Sequence, residues 1–333
     1  MKPSESRALM QRELDEQPAI LSRVAGVLSR AAASVQPAAD RTLWISGCGD
    51  SFFAGQALAR YFMLHNRDMR PITAADLLFE APVRPGDTVV GISISGGTRR
   101  TVEALGAARR CGGRSIAITL NGDSALAQAA DDVLLLPFNP ISRAIPHGLD
   151  YHVTLLALAS LVGGIDSDAV ERLFVDDTPV ILEQVRSDVS VVARDAQFFF
   201  LGGGPALGTA NYGAAKLHEA GGLPAWSFEA ESFAHGAHFM LRPGDHVVLC
   251  GAGGPADART VALRPGLERL GVSVSQAFVP AHHDALMTAL RSALWCQAFC
   301  LAIAERYDLN VTDPSQGSDA AVVQRDWFGW TSV

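Results

Sequence analysis

Two stretches of this sequence combine glycine with hydroxyl side chains: Gly47-Cys48-Gly49-Asp50-Ser51 and Ser93-Ile94-Ser95-Gly96-Gly97-Thr98. Each follows a short apolar run and precedes a helical pattern, so each is a strand-to-helix turn. At such turns glycine lets backbone N–H groups approach an anion, and the helix dipole favours its negative charge. Ser51, Ser93, Ser95 and Thr98 add hydroxyl donors without charge, and the Gly49–Asp50 and Gly96 backbone completes the cradle. The expected ligand is a phosphate. The lysine of a nucleotide-binding P-loop is absent, which argues against a nucleoside triphosphate. One such turn alone would merely cap and bend the chain; two at matching strand ends carry the case.

A second group of residues could move protons. Lys216 and Glu219 stand three apart on a helix, hence on one face, and a lysine there can pair with a carboxylate or reach a phosphate. Glu219 falls in the last turn, where the dipole disfavours a carboxylate by about 0.3–1 kcal/mol. Ten residues on begins Glu229-Ala230-Glu231-Ser232-Phe233-Ala234-His235-Gly236-Ala237-His238, which mixes carboxylates and imidazoles with apolar side chains. His235 and His238 could ligate a metal, but no third ligand stands at metal spacing, so no metal is expected. His282-His283-Asp284 reads as a loop or helix start. No GxSxG or other nucleophile motif is present, which argues against covalent hydrolase chemistry. The glycine turns do not complete GxGxxG either, since Phe52 and Leu207 occupy its last position, so a dinucleotide enzyme is disfavoured.

The elements that must hold these residues repeat. Arg84-Pro85-Gly86-Asp87 recurs as Arg242-Pro243-Gly244-Asp245, an offset of 158 residues. Each copy leads into an apolar strand (Thr88–Ile94, His246–Cys250), a small-residue turn, a helix (Arg99–Arg110, Ala256–Leu270) and another strand (Ser115–Leu120, Ser273–Val279). Upstream, Leu43–Ser46 with a helix over Phe52–Leu64 matches Phe198–Leu201 with a helix over about Leu207–Ala220, which Gly221-Gly222 ends. Short apolar strands alternating with helices predict parallel sheets covered on both faces. The second copy of the phosphate turn, Gly251–Gly254, has no hydroxyls and reads as structural, so one phosphate site per chain is expected. A helical arm spans Ser4–Ala33, a helical stretch joins the two halves over about Leu149–Val185, and a tail runs from about Asn310 to Val333.

Composition narrows the classes further. The chain has 333 residues, 48% of them hydrophobic and 19% charged, which excludes a disordered chain and suits two domains. No run reaches ~18 consecutive apolar residues, so no membrane span is expected, and the N-terminus does not read as a signal peptide. The net charge of −8 and scattered basic residues argue against nucleic acid. Only Lys2 and Lys216 are lysines, which leaves Schiff-base chemistry almost without a candidate. The five cysteines are far apart or at helical spacing and read as reduced thiols in a cytoplasmic protein.

With these residues in view, the chain resembles a tandem SIS (sugar isomerase) protein. The resemblance is to the isomerase half of glucosamine-6-phosphate synthase and to stand-alone phosphosugar isomerases, amino-sugar-phosphate deaminases and fructosamine-phosphate deglycases. It is carried by Met10-Gln11-Arg12-Glu13-Leu14-Asp15-Glu16-Gln17-Pro18, by both hydroxyl turns, by Lys216-Leu217-His218-Glu219 and by His235-Gly236. It implies two doubly wound, flavodoxin-like α/β domains of three αβα layers at 41–165 and 166–309, with the arm at 1–40 and the tail at 310–333. It implies that Glu219 moves a proton between C1 and C2 of a 6-phosphorylated sugar or amino sugar. It further implies that Lys216 lies near the reacting carbons and stabilises charge on oxygen, and that His235 opens the ring from the neighbouring subunit of a homodimer. No cofactor is implied. There are departures. Asp50 stands where a threonine is usual, a carboxylate being repulsive to phosphate unless it binds a hydroxyl or amine instead. Arg143-Ala144-Ile145-Pro146 replaces a small-residue turn, and Arg143 could supply positive charge. The synthase's tail lysine and its glutaminase domain have no counterpart, so glutamine nitrogen transfer is not expected. The readings are an isomerase or deaminase first, and a deglycase or a non-catalytic phosphosugar-binding regulator as alternatives. The regulator is disfavoured by the short acidic arm and by the presence of both Glu219 and His235.

Overall fold

The computed structural model describes residues 1–80, 82–278, 284–315 and 318–328. The chain begins with a long helix, α1 (Pro3–Ala31), then runs β1 (Leu43–Gly47), α2 (Asp50–Ala57), α3 (Ala59–Leu64), β2 (Met69–Thr73) and α4 (Ala74–Phe79). It continues through β3 (Thr88–Ile92), α5 (Arg99–Arg110), β4 (Arg114–Thr119), α6 (Ala125–Ala129) and β5 (Asp132–Leu135). Two helices follow, α7 (Leu149–Ser160) and α8 (Ser167–Ser190). The later half runs β6 (Phe198–Gly202), α9 (Ala206–Gly221), β7 (Ala225–Glu229), α10 (Ala230–Ala234), β8 (His246–Cys250), α11 (Ala256–Val261), α12 (Arg264–Arg269) and β9 (Ser273–Gln276). Helices α13 (Ala285–Tyr307) and α14 (Ala320–Phe328) close the chain.

Among the described residues the strands form two parallel sheets, ordered β2-β1-β3-β4-β5 and β7-β6-β8-β9. The fold is α/β as expected, and the strand orders place β1/β3 and β6/β8 at corresponding positions. Each chain reversal before β3 and β8 is built the same way. Asp87 Oδ2 accepts from the Arg84 N–H at 3.0 Å, and Asp245 Oδ2 from the Arg242 N–H at 2.8 Å. Gly86 and Gly244 both take positive φ, 88° and 94°, which glycine adopts without a Cβ penalty.

Several helices and strands differ from expectation at their ends. The helix expected over Phe52–Leu64 is two, broken at Leu58. That expected over Ala256–Leu270 is also two, because Pro265 lacks an N–H for the ladder and occupies the first turn of α12 instead. The strand expected over Thr88–Ile94 ends at Ile92, and Val279 of the last expected strand lies outside the described residues.

One core spans both sheets, with α13 inside it. By length and composition α13 could cross a membrane, yet its most apolar window is wholly covered by protein. It packs against α8 and α9 and carries Cys296 and Cys300 as small buried residues. The arm α1 supplies two polar side chains to this interior. Glu13 Oε1 accepts from the Leu149 N–H at 2.9 Å at the start of α7, and Gln17 donates to Gln297 at 2.8 Å. Gln297 in turn donates to the Gly148 carbonyl at 3.1 Å and faces His152 Nδ1 at 3.0 Å. Burial raises Glu13 to about 7 and lowers His152 to about 4.

His246, at the start of β8, is buried against Phe299 and is lowered by desolvation to about 3. Below the ordinary histidine value of 6.5 the unfolded chain takes up a proton that the folded chain refuses until pH nears 3. The wild type should therefore lose stability relative to His246→Leu as pH falls through this window, by about 1.4 kcal/mol per pH unit. Urea unfolding of both proteins between pH 7 and 4 measures the difference; parallel curves would show that His246 titrates freely in the fold.

Candidate functional site

Strand order reverses between β1 and β3, since β2 lies on one side of β1 and β3 on the other. In open α/β sheets ligands bind at such a switch point, outside the carboxyl ends of the strands. A cavity of about 400 Å³ opens there. Ser51, Ser93, Ser95, Thr98 and Asp50 line it, as do Arg143, His147, Asp150 and Glu219.

The hydroxyl turn after β3 is held in shape by its own side chains. Ser93 Oγ and Thr98 Oγ1 lie 2.8 Å apart, and Ser93 Oγ also accepts from the Gly96 N–H at 3.1 Å. The Gly96 N–H is further shared with the Ser93 carbonyl at 3.0 Å. Gly96 therefore shapes the turn instead of offering its amide to a ligand, which corrects its expected role. Its positive φ of 71° and the crowding of its α-carbon by Ser124 exclude any side chain there. Gly49, with φ 53°, turns the chain from β1 into α2, at whose first residues Asp50 and Ser51 stand.

The corresponding turn of the second sheet holds its own anion. The amides of Ala252, Gly253 and Gly254 donate to the carboxylate of Asp257, at 3.0, 2.9 and 3.3 Å for the shortest contact of each. That nest is filled by a side chain of the protein, which gives the expected structural role of Gly251–Gly254 a physical form.

The proton-transfer group arrives from the other sheet. Helix α9 crosses α2 at Gly208, whose α-carbon abuts the backbone of Phe53 and Ala57 so closely that no side chain would fit. Asn211 donates to Gln56 at 2.8 Å across the same contact. About two turns beyond Gly208 on α9, Lys216 Nζ lies 2.6 Å from Asp50 Oδ2 and 2.7 Å from Glu219 Oε2. The lysine side chain is 1% exposed, so it lies beneath the two carboxylates and not on the cavity wall. Burial opposes its charge, but Asp50 and Glu219 outweigh burial and hold the ammonium above the ordinary lysine range. Burial raises Asp50, with the neighbouring Glu219 charge adding and Lys216 pulling it back. Asp50 is thus engaged by an ammonium, so the repulsion expected between this carboxylate and a phosphate is moderated. Helix α9 ends at Gly221 with Gly222 left-handed at φ 64°, and the Gly222 N–H donates to the His218 carbonyl at 2.8 Å.

His147 and Asp150 were not legible as site residues. The His147 N–H donates to Glu219 Oε2 at 3.3 Å, and its Nδ1 lies 2.8 Å from Asp150 Oδ2. The Asp150 side chain is 6% exposed. That carboxylate raises the imidazole above its ordinary value, more than burial and Lys216 lower it, and Glu219 adds to the rise. The available signal was a histidine after Pro146 with a carboxylate three residues on, at a helix start. His235 lies elsewhere: its side chain is 79% exposed, with Nε2 3.7 Å from Glu231 Oε1, and it does not line the cavity of its own chain. His238 packs on Phe239 away from the site, and among the described residues no cluster of three potential metal ligands occurs. His282 and His283 lie outside the described residues.

Residues 38–162 match the SIS domain family and form a SIS domain. The chain is 28% identical over 258 residues to glutamine–fructose-6-phosphate aminotransferase (isomerizing) of Pyrobaculum aerophilum, covering 72% of this chain and 42% of that protein. A 64-residue stretch is 58% identical to N-acetylmuramic acid 6-phosphate etherase of Symbiobacterium thermophilum, covering 19% of this chain and 21% of the etherase. The chain thus spans under half the length of either relative. In structure it resembles glucosamine-6-phosphate deaminase of Thermotoga maritima, with a TM-score of 0.76 and 19% identity over 92% of this chain and 97% of the other. It likewise resembles tagatose-6-phosphate ketose/aldose isomerase of Escherichia coli, with a TM-score of 0.76 and 18% identity over 92% and 95% of the two chains. The SIS domain is therefore homologous to that of the isomerase half of glucosamine-6-phosphate synthase, and the α/β fold is that of phosphosugar isomerases.

Proposed function

We propose that this chain is a phosphosugar isomerase or deaminase acting on a 6-phosphorylated sugar or amino sugar by general acid–base chemistry. One observation carries the reading: a single cavity at the β1/β3 switch point presents the hydroxyls of Ser51, Ser93, Ser95 and Thr98 together with Arg143 and Glu219. Its volume of about 400 Å³ falls within the ~300–1,000 Å³ usual for small-molecule sites. The hydroxyls and Arg143 would take the phosphate, and Glu219 would take the C2 proton and return it to C1. Asp50 on the wall suits a hydroxyl or an amine. The relatives' names include both a deaminase and a ketose/aldose isomerase, so the class covers both outcomes.

The test supplies glucosamine 6-phosphate, fructose 6-phosphate and an N-substituted fructosamine 6-phosphate in deuterated water. Ammonia release, isomer formation and deuterium at C2 are measured. Incorporation at C2 with either product is expected. Binding of the esters without exchange on any of them would favour a regulator and overturn the enzyme reading.

We read the second sheet, on the repeated Arg-Pro-Gly-Asp turn and the corresponding strand order, as a second SIS unit over 166–309. We also propose a cytoplasmic homodimer in which His235 serves the neighbouring copy's cavity, since in its own chain it points to no site. Mixing inactive Glu219→Gln and His235→Ala proteins through reversible unfolding should then restore activity. In a two-fold dimer half the products are mixed and each holds one intact site of two, giving about a quarter of wild-type activity. No recovery from two inactive variants would place His235 within its own chain's site, and an active His235→Ala would place it outside the chemistry.

A further inference from the structure

Converting an aldose to a ketose takes two proton movements. When a base carries the C2 proton to C1, a second proton must pass from O2 to O1. Glu219 serves the carbons in the reading proposed above, so the oxygens need their own group. Lys216 is 1% exposed beneath Asp50 and Glu219 and does not line the cavity. His235 lies outside the cavity of its own chain. Arg143 lines it, but a guanidinium keeps its protons at physiological pH. Burial raises the Cys48 thiol. Asp50 is engaged by Lys216.

His147 has none of these disabilities. It lines the cavity, its Nδ1 lies 2.8 Å from Asp150 Oδ2, and its backbone N–H holds Glu219 Oε2 at 3.3 Å. The buried Asp150 carboxylate sits against one ring nitrogen and leaves Nε2 for a ligand, a pairing by which a carboxylate can orient a working imidazole. The Tyr212 hydroxyl anchors the same turn by donating to the His147 carbonyl at 2.9 Å.

We infer that His147, oriented by Asp150, carries the proton between O1 and O2 of the substrate, in cis and beside Glu219. This rests on the proposed role of Glu219. In the first half-reaction Glu219 takes the C2 proton, the C2–H electron pair becomes the C1–C2 double bond, and the C1–O1 π pair takes the proton of the His147 imidazolium. In the second, neutral His147 removes the O2 proton, the O–H pair becomes the C2–O2 double bond, and the enediol π pair takes the proton from Glu219 onto C1. Both side chains return to their starting state, and nothing is oxidised or reduced overall. The charged groups facing His147 are Asp150 on α7, Lys216 and Glu219 on α9, Asp50 on α2 and Glu13 on α1, with Arg143 on its own loop. The carboxylates among them favour the imidazolium with which the sequence starts.

The experiment compares the full chain with His147→Gln, Asp150→Asn and Glu219→Gln on fructose 6-phosphate and glucosamine 6-phosphate. It measures kcat and KM against pH. His147→Gln should lower kcat by about 10²–10⁴-fold, the usual contribution of a positioned acid–base group, with KM little changed and the alkaline limb of the profile abolished. Asp150→Asn should keep activity but move the alkaline limb to lower pH, because the imidazole loses its carboxylate. A structural role alone would raise KM or lower thermal stability and leave the limb in place. A kcat for His147→Gln within threefold of wild type, with an unmoved profile and Glu219→Gln inactive, would overturn the assignment and leave the role of Glu219 intact. Full activity in Glu219→Gln would instead overturn the reading beneath it. If His147→Gln fails to fold, an unmoved profile in Asp150→Asn overturns the proposal.

Discussion

Glu219→Gln should abolish turnover while leaving the fold and phosphosugar binding in place. The carboxylate accepts from Lys216 at 2.7 Å and from the His147 N–H at 3.3 Å, both through Oε2. A glutamine of the same volume keeps an oxygen that can accept both contacts, so the cavity wall is preserved and the basic electron pair is lost. The expected fall in kcat is at least about 10²–10⁴-fold, the contribution of a positioned general base. Calorimetry with glucitol 6-phosphate, which cannot react, should give an affinity within a few-fold of wild type, because the hydroxyl turn at Ser93–Thr98 is untouched. A kcat within tenfold of wild type would remove Glu219 from the chemistry. Loss of binding in step with loss of turnover would make it a ligand-positioning residue instead.

Much of this arrangement was readable from residue types, and the reasons for success and failure are physical. Strands β1, β3, β6 and β8 are buried on both faces and therefore appear as unbroken apolar runs. Strand β2 at a sheet edge carries Arg70 and Pro71 and is partly exposed along its length, so no run marked it. Strand β7, at an edge of the second sheet, is likewise mostly half-buried, whereas β5 was passed over although residues 133–136 are apolar. Helix α13 is covered all round, which erases the amphipathic stripe by which a helix is recognised, yet the i, i+4 spacing of Cys296 and Cys300 in an apolar stretch still marked it as helical and buried. The arm motif was visible as a pattern but its purpose was not. Glu13 and Gln17 reach Leu149 and Gln297, partners 136 and 280 residues away, which no local spacing reveals.

At the site the same division holds. Hydroxyls and glycines at a strand end declare an anion cradle because chemistry and backbone coincide in one stretch of chain. Glu219 and Lys216, one helical turn apart, declare an interaction but not its depth. Burial of the lysine depends on α2 crossing α9 at Gly208, a tertiary fact. His147 was passed over because its partners are a backbone contact to a residue 72 positions on and a carboxylate that matters only once α7 is seen to start there.

The depth of Lys216 leads to the second large effect. Lys216→Met replaces the ammonium by an apolar group of similar length and leaves Asp50 and Glu219 facing each other where a cation had separated them. Removing one partner from a buried ionic cluster costs about 3–5 kcal/mol, because the remaining charges keep their desolvation penalty without compensation. At roughly 2–4 °C per kcal/mol for domains of 150–250 residues, the melting temperature should fall by about 6–20 °C. The pH dependence identifies the cause. Both carboxylates hold the lysine above its ordinary value of 10.5, so its stabilisation is fully present below that pH and is lost only as pH rises beyond the folded-state value. Asp50 is already raised by burial, and without Lys216 it rises further, so acid protonates it readily and relieves the repulsion. The penalty of Lys216→Met should therefore be greatest at pH 9 and shrink as pH falls toward about 6, the value to which Asp50 is already raised beside the lysine, and adding Asp50→Asn should recover most of it at pH 9. Calorimetric melting of the single and double variants over that range decides the matter. A penalty that is independent of pH and not rescued by Asp50→Asn would mean that lost packing around the lysine stem, and not stranded charge, is what Lys216 prevents.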